Sequence, residues 1–248
     1  MESIRPLARL SADVRAVLAP YGAKATWPAG FTIYQRGASA DGLFVVLAGR
    51  VVLRSRVKAG RGFVPAVAVV GETFGCEGLV PRGAYATDAR AEEPSETLHV
   101  RGPQLRTFLR EQPLYGQALM GQLMAERTEL LDKLREVATL SVEDRLIAAM
   151  LRLAVQRPRG TPADAALVLG PNEYRLLCEL VGATRESVSL VFNRFAASGL
   201  VDRDGTTYTV TDVGQLAERM GSLWAEADAP VVERVVDREP GVGRAVRA

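Results

Sequence analysis

The 248-residue chain has one histidine, His99, two cysteines, Cys76 and Cys178, and three lysines, Lys24, Lys58 and Lys133. A single imidazole leaves no raw material for a His-based dyad or a multi-histidine metal site. The cysteines lie far apart and form no CxxC pair, which argues against a zinc module, an iron–sulfur cluster or a disulfide scaffold. No run of about 18 uninterrupted apolar residues occurs, so no membrane span or membrane partner is expected. Met1 to Pro6 lack the basic start and apolar run of a secretory signal, and a cytoplasmic location is expected. A Gly-rich P-loop, a G-x-S-x-G elbow, a metal-ligand cluster and a nucleophile–base pair are all missing, so no enzymatic activity is expected. With lysine so scarce, arginine supplies nearly all the positive charge. That suits phosphate contacts, but it equally fits a general preference for Arg over Lys, matched by the abundance of Ala, Gly and Val. The formal net charge of +2 decides nothing about nucleic acid. Hydrophobic content of 48% and charged content of 24% fit a soluble globular protein of one large or two modest domains.

The most informative segment runs from Leu180 to Ser189. Gly182 permits the positive φ of a tight turn between helices, and Thr184 is a good N-cap for the helix that follows. Val188, Val191, Phe192 and Phe195 recur at i, i+3, i+4, i+7, an apolar helical stripe. Arg185, Glu186, Ser189, Leu190 and Asn193 fall on the opposite arc. Upstream, Tyr174, Leu177, Leu180 and Val181 give a short first helix. The pair reads as a helix-turn-helix whose second helix can enter the major groove. Spacing alone also fits an ordinary αα-hairpin, but the Arg-Glu pair just after the N-cap favours DNA, because that first turn is where base edges are met.

The first half of the chain reads as short strands, Phe31–Tyr34, Leu43–Leu47, Val51–Leu53, Val67–Val70 and Leu98–Val100, punctuated by glycines. This predicts an antiparallel β-roll over residues 1–113. From Leu114 to Thr139 there is no proline, and Met120, Leu123, Arg127, Leu130, Leu134 and Val137 approximate a 3–4 repeat, widened by Leu119, Met124, Leu131 and Ala138. One face of such a helix (114–140) is expected against the roll and another against a second copy of the chain, although a core helix of a single chain fits the same pattern. Ser141-Val142-Glu143-Asp144 matches an S-x-x-D capping box and restarts a helix, a hinge into a DNA-binding unit over 141–222. Pro158 to Pro162 reads as a turn. Gly199 to Val210 reads as strand, Asp-Gly turn and strand, the wing of a winged helix. A mobile tail is expected over 223–248. The fold class is therefore α+β: antiparallel roll, long dimerisation helix, winged helix-turn-helix.

In that order of parts the chain resembles the CRP/FNR family of bacterial transcription regulators over roughly residues 7 to 220. Asp41 to Val51 is similar to the family's strand–Gly–strand signature, and Gly71-Glu72-Thr73-Phe74-Gly75 to the opening of its effector cassette. Ala89 to Glu96 resembles the strand leaving the cassette, and Leu180 to Ser189 the recognition motif. The resemblance implies a homodimer on a two-fold operator in double-stranded DNA, with RNA polymerase as downstream partner. It aligns Arg185 and Glu186 with the family's base-reading pair. Arg can donate two hydrogen bonds to guanine, and Glu can accept from cytosine N4. Thr184, Ser187 and the exposed amides at the helix start are expected to hold phosphate. The family often has a second arginine where Leu190 stands, so the half-site is expected to differ at the facing base pair.

The sensor departs further. Where the family's cyclic-AMP binders carry a ribose-binding carboxylate, this chain has Cys76, with Glu77 beside it. Their phosphate-binding Arg-Ser pair becomes Tyr85-Ala86, and the adenine-contacting pair on the long helix becomes Leu130-Leu131. Together with Gly75 and Arg82, these residues mark a candidate effector pocket. A cyclic phosphate there loses its charge-assisted hydrogen bonds while still being desolvated. Only Arg82 offers a substitute charge. Cyclic AMP is therefore not expected to bind tightly, and a ligand-independent regulator fits the leucine pair. Haem is not expected either: Cys76 reads as a packed residue and His99 as structural. No cofactor is assigned. A competing reading is a cyclic-nucleotide- or haem-sensing module acting through protein contacts, against which Arg185, Glu186 and the wing argue.

Overall fold

The computed structural model describes residues 9–56, 62–155 and 166–220. The turn expected at Pro158–Pro162 and the tail expected at 223–248 lie outside the described residues. In chain order come α1 (Ala12–Leu18), β1 (Ala23–Trp27), β2 (Thr32–Tyr34), β3 (Gly42–Ala48), β4 (Arg50–Arg56), β5 (Gly62–Val69), β6 (Thr73–Phe74), β7 (Asp88–Ala91) and β8 (Ser95–Arg101). The helices α2 (Gly102–Glu111), α3 (Pro113–Thr139) and α4 (Val142–Val155) follow. Then come β9 (Leu167–Leu169), α5 (Pro171–Val181), α6 (Arg185–Ala197), β10 (Asp202–Asp204), β11 (Thr207–Val210) and α7 (Val213–Met220).

Two four-stranded antiparallel sheets, ordered β1-β8-β3-β6 and β2-β7-β4-β5, make the expected roll. The period-2 alternation of β3 separates two apolar layers. Leu43 and Val45 pack with Leu18, Leu98, Leu105 and Phe108 beneath the helices. Phe44 and Val46 point the other way, into a cluster with Tyr34, Val51, Phe74 and Tyr85 inside the roll. The second sheet divides likewise. Val51 and Ala68 face the interior, whereas Val52, Val64, Val67 and Val69 join the core of the C-terminal unit. The helix-turn-helix thus shares one apolar core with the outer face of β4 and β5.

Chain entry into α4 follows the capping box in part. Asp144 N–H donates to Ser141 Oγ at 3.1 Å, while the Asp144 carboxylate takes the Ser141 hydroxyl at 2.7 Å rather than a backbone amide. Three details differ from expectation. Leu119, grouped with the outer stripe of α3, is buried under the roll with Phe108, because it lies about 100° around the helix from Met120. The two turn residues of the wing are Gly205 and Thr206, with Asp204 the last residue of β10 paired to Thr207. The wing also gains a third strand, since β9 pairs with β11.

Candidate functional site

The first turn of α6 is fixed from both sides. Gly182 ends α5 in the left-handed region at φ 66°, its N–H donating to Cys178 O at 3.1 Å. A side chain in that conformation is strained, so glycine is what lets the chain reverse within a few residues. Thr184 caps α6, its Oγ1 accepting from Ser187 N–H at 3.2 Å and lying 3.1 Å from Ser187 Oγ. Capping removes one orphan donor and sets the helix start. Val188, Val191, Phe192 and Phe195 are then buried, and Arg185, Glu186, Leu190 and Asn193 are exposed, with Ser187 and Ser189 half-buried between them. The structure therefore gathers all seven candidate contact residues on one end and one arc of a single helix.

Beside that helix start lies a cleft of about 430 Å3 lined by Pro171, Asn172, Tyr174, Arg175, Arg185, Arg203, Thr206 and Tyr208. Tyr174 forms its floor: the phenol donates to Arg185 O at 3.5 Å, and the ring stacks on Tyr208 with centroids 5.4 Å apart. Burial pushes the Tyr174 phenol up to about 12, so it stays a neutral donor. The Arg203 guanidinium sits over the Tyr208 ring at 5.5 Å, and its Nε donates to Gly205 O at 3.2 Å. Three guanidinium groups and no carboxylate line this cleft, which suits an anion such as a phosphate. Asn172, Arg175, Arg203 and Thr206 escaped sequence reasoning because they come from two separate elements. An arginine in the hairpin after the helix-turn-helix, Arg203, is the one sequence signal that could have found them.

The sensor cassette is filled by rings. Tyr85 is buried and stacks on Tyr34 with centroids 3.6 Å apart, Phe44 stacks on Phe74 at 5.0 Å, and His99 stacks on Phe44 at 4.2 Å. Gly75 is left-handed at φ 73°, and a Cβ placed there would meet Phe44, Tyr85 and Tyr34 at 3.1 to 3.3 Å. Glu77 turns back on its own loop, accepting from Ala86 N–H at 2.9 Å. Gly75 and Tyr85 thus come together, with Glu77 and Ala86 paired alongside. Arg82 does not join them: it is exposed in a left-handed turn, φ 58°. Leu130 and Leu131 do not join either, each being 52% exposed on the outer side of α3.

Cys76 points instead to α3. Its Sγ lies 3.8 Å from Glu126 Oε2 and 4.0 Å from Thr73 Oγ1, and burial pushes the thiol up to about 12. Thr73 also hydrogen-bonds Glu126, which accepts from Gln122 Nε2 at 3.2 Å. The roll-facing seam of α3 runs Gln122, Glu126, Glu129, Lys133, Glu136, a polar 3–4 repeat. Desolvation raises Glu72 to about 7 and Glu129 to about 8, and lowers Lys133 to about 8. The outer seam is apolar and exposed: Met120 49%, Leu130 52%, Leu134 65% and Val137 44%, with Leu123 half-buried and Arg127 exposed among them.

Comparison with known proteins matches residues 24–112 to the cyclic nucleotide-binding domain and residues 144–219 to the Crp-like helix-turn-helix domain. The cyclic AMP receptor protein of Thermus thermophilus is 28% identical over 204 residues, covering 80% of this chain and 88% of that protein. A CRP-like cAMP-activated global transcriptional regulator of Mycobacterium tuberculosis is 23% identical over 193 residues, 78% of this chain and 86% of its own length. Among solved structures, the c-di-GMP responsive global regulator CLP of Xanthomonas campestris superposes with a TM-score of 0.69 at 21% identity, covering 81% of this chain and 99% of that one. The roll and the capped helix-turn-helix fall within those two matched domains, with α3 between them, and the chain belongs to the CRP/FNR family of transcription regulators.

Proposed function

We propose that two copies of the chain pair along α3 and read a two-fold site in duplex DNA through α6, in a state that no cyclic nucleotide sets. The observation that carries the reading is the Arg185–Glu186–Ser189–Leu190–Asn193 arc, held at the capped start of a helix whose other face is buried. Arg185 and Glu186 supply a guanine donor and a cytosine acceptor, while Thr184, Ser187 and the neighbouring cleft offer groups for phosphate. Pairing along α3 is supported by its exposed apolar seam, since leucines in a 3–4 repeat gain by burial against a copy of themselves. RNA polymerase is the inferred downstream partner, because a regulator of transcription acts by recruiting or obstructing it.

The cassette does not fit a cyclic nucleotide. The position of the phosphate-binding arginine is taken by the stacked Tyr85 ring, Arg82 stands in solvent, and the Glu77 carboxylate is engaged by Ala86 N–H. Among the described residues singled out for the cassette, none offers a phosphodiester a cation to replace its water. Haem fits no better: the Cys76 thiol is held protonated, and His99 Nε2 lies 3.2 Å from Asp41 Oδ1 with its ring against Phe44. The test is selection of bound duplexes from random sequence, with and without cyclic AMP. The full chain is expected to enrich one two-fold sequence equally in both, and Arg185→Ala to lose the preference at one base pair per half-site by about 10- to 100-fold while retaining salt-dependent binding. Identical selection by Arg185→Ala, or enrichment only with the nucleotide, would refute the reading.

A further inference from the structure

Between the roll and the helix-turn-helix lies a row of four charges, of which Arg54, Glu92 and Glu179 stand apart from the groups offered to DNA. Arg54, on β4, is 15% exposed; its Nε is 2.9 Å from Glu179 Oε2 and its Nη2 is 3.3 Å from Glu92 Oε2. Glu92, just past β7, is 12% exposed, and its other oxygen is 3.9 Å from Arg175 Nη2. Arg175 and Glu179 stand at i and i+4 on one face of α5, so the row begins and ends on the same helix and passes through two residues of the roll.

Around it the contact is apolar, with Val52, Val64, Val67 and Val69 of the roll in the same core as Leu177 and Val181 of α5. Apolar packing is non-directional and tolerates small rotations of α5 against the sheet. A guanidinium desolvated between two carboxylates does not: its Nε–H bond to Glu179 is directional and its Nη2 faces Glu92 as an ion pair, so any rotation that parts either pair leaves a largely buried charge without its partner. α5 and α6 are joined by the Gly182 turn and share a core, so the angle of the reading helix follows that of α5. Arg175, the last group of the row, also lines the cleft beside Arg185.

From this geometry we infer that Arg54 is a positioning residue for DNA recognition: bridging Glu179 and Glu92, it sets the angle at which the roll, and with it α3, presents α6. The inference rests on the dimeric reading above. In a dimer that angle fixes the distance between two reading helices, which must match the spacing of two half-sites. A misaligned dimer still binds one half-site but loses the gain of engaging both.

The experiment takes the two-fold duplex selected by the full chain and a duplex carrying one half-site, and measures affinity for both. Arg54→Met is expected to weaken binding to the two-fold duplex by about 10-fold or more while changing half-site affinity by less than about 2-fold. Glu179→Gln, which keeps the side-chain shape, is expected to act in the same direction and decides the matter if Arg54→Met fails to fold. Their double variant is expected to lose no more than the stronger single one, because both remove one interaction. Equal losses on the two duplexes, no loss on either, or losses that simply add would overturn the assignment. If the unsubstituted protein shows no preference for the two-fold duplex, the dimeric reading itself fails, and this assignment with it; that result is visible without any variant.

Discussion

Leu190 stands 65% exposed on the outward arc of α6 proposed to read DNA, one helical turn past Glu186. A leucine side chain there has no hydrogen-bond donor for a base edge, and its favourable contact is with a thymine methyl. Leu190→Arg is therefore expected to change the selected base pair facing that position, by about 10- to 100-fold in relative affinity, and to leave the pairs read by Arg185 and Glu186 unchanged. Binding-site selection with the variant checks this; an unchanged consensus would show that Leu190 faces no base. Five of the seven candidate residues, Arg185, Glu186, Ser189, Leu190 and Asn193, were legible in the sequence because helical periodicity fixes which side chains share an arc once the apolar stripe is known, and Thr184 and Ser187 because the cap marks the helix start. Tyr174, Arg175 and Arg203 were not, because what brings them to the cleft is the docking of wing and α5 onto α6.

At the scale of the element, α3 carries two opposed seams. Toward the roll it presents Gln122, Glu126, Glu129, Lys133 and Glu136, and toward solvent its leucines. This is the reverse of an ordinary surface helix, and it is intelligible when a second chain covers the outer seam. Leu134→Glu changes a side chain that a single chain leaves 65% exposed, so the protomer should fold unchanged. In the paired state it buries a carboxylate against its own copy. The sedimenting mass is expected to fall from two chains to one, with binding to a two-fold duplex weakened by about 100-fold; a variant that still sediments as two chains would remove α3 from the contact. Sequence periodicity could identify the repeat but not assign Leu119 to one face, since α3 carries apolar residues on more than half its circumference over that stretch.

For the whole molecule the polar seam beneath the cassette sets a pH dependence of stability. Glu72 and Glu129, at about 7 and about 8, titrate well above the ordinary carboxylate range. Below about pH 4.5 both are protonated in the folded and unfolded chain alike. As pH rises, the unfolded chain releases these protons first, so stability falls until the folded groups ionise, near pH 7 to 8. Lys133 works in the opposite sense: held down to about 8, it sheds its proton in the folded protein before the unfolded, so its part of the stability rises between about pH 8 and 10.5. Urea unfolding across pH 5 to 10 is expected to show the lowest contribution from this seam near pH 8, and Glu129→Gln to flatten the limb below it. A limb unaltered by Glu129→Gln would place the titration elsewhere.

Local sequence alone settles the order of roll, long helix and helix-turn-helix, the turn at Gly182, the Thr184 cap and the outward arc of α6. Each of these depends on residues near one another in the chain, where backbone sterics and helical period suffice. β1, whose side chains are mostly exposed, became visible only as the partner of β8, and β7, whose Asp-Ala-Arg-Ala has only alanine on its buried face, was marked in the sequence by the family resemblance alone. Tertiary structure alone decided that the cassette is packed with rings from β2, β3, β6 and its own loop, that the seam under α3 is polar, and that Arg54 joins two units between Glu92 and Glu179. Burial, charge pairing and ring stacking act between residues tens of positions apart, and no local pattern records which of them will meet.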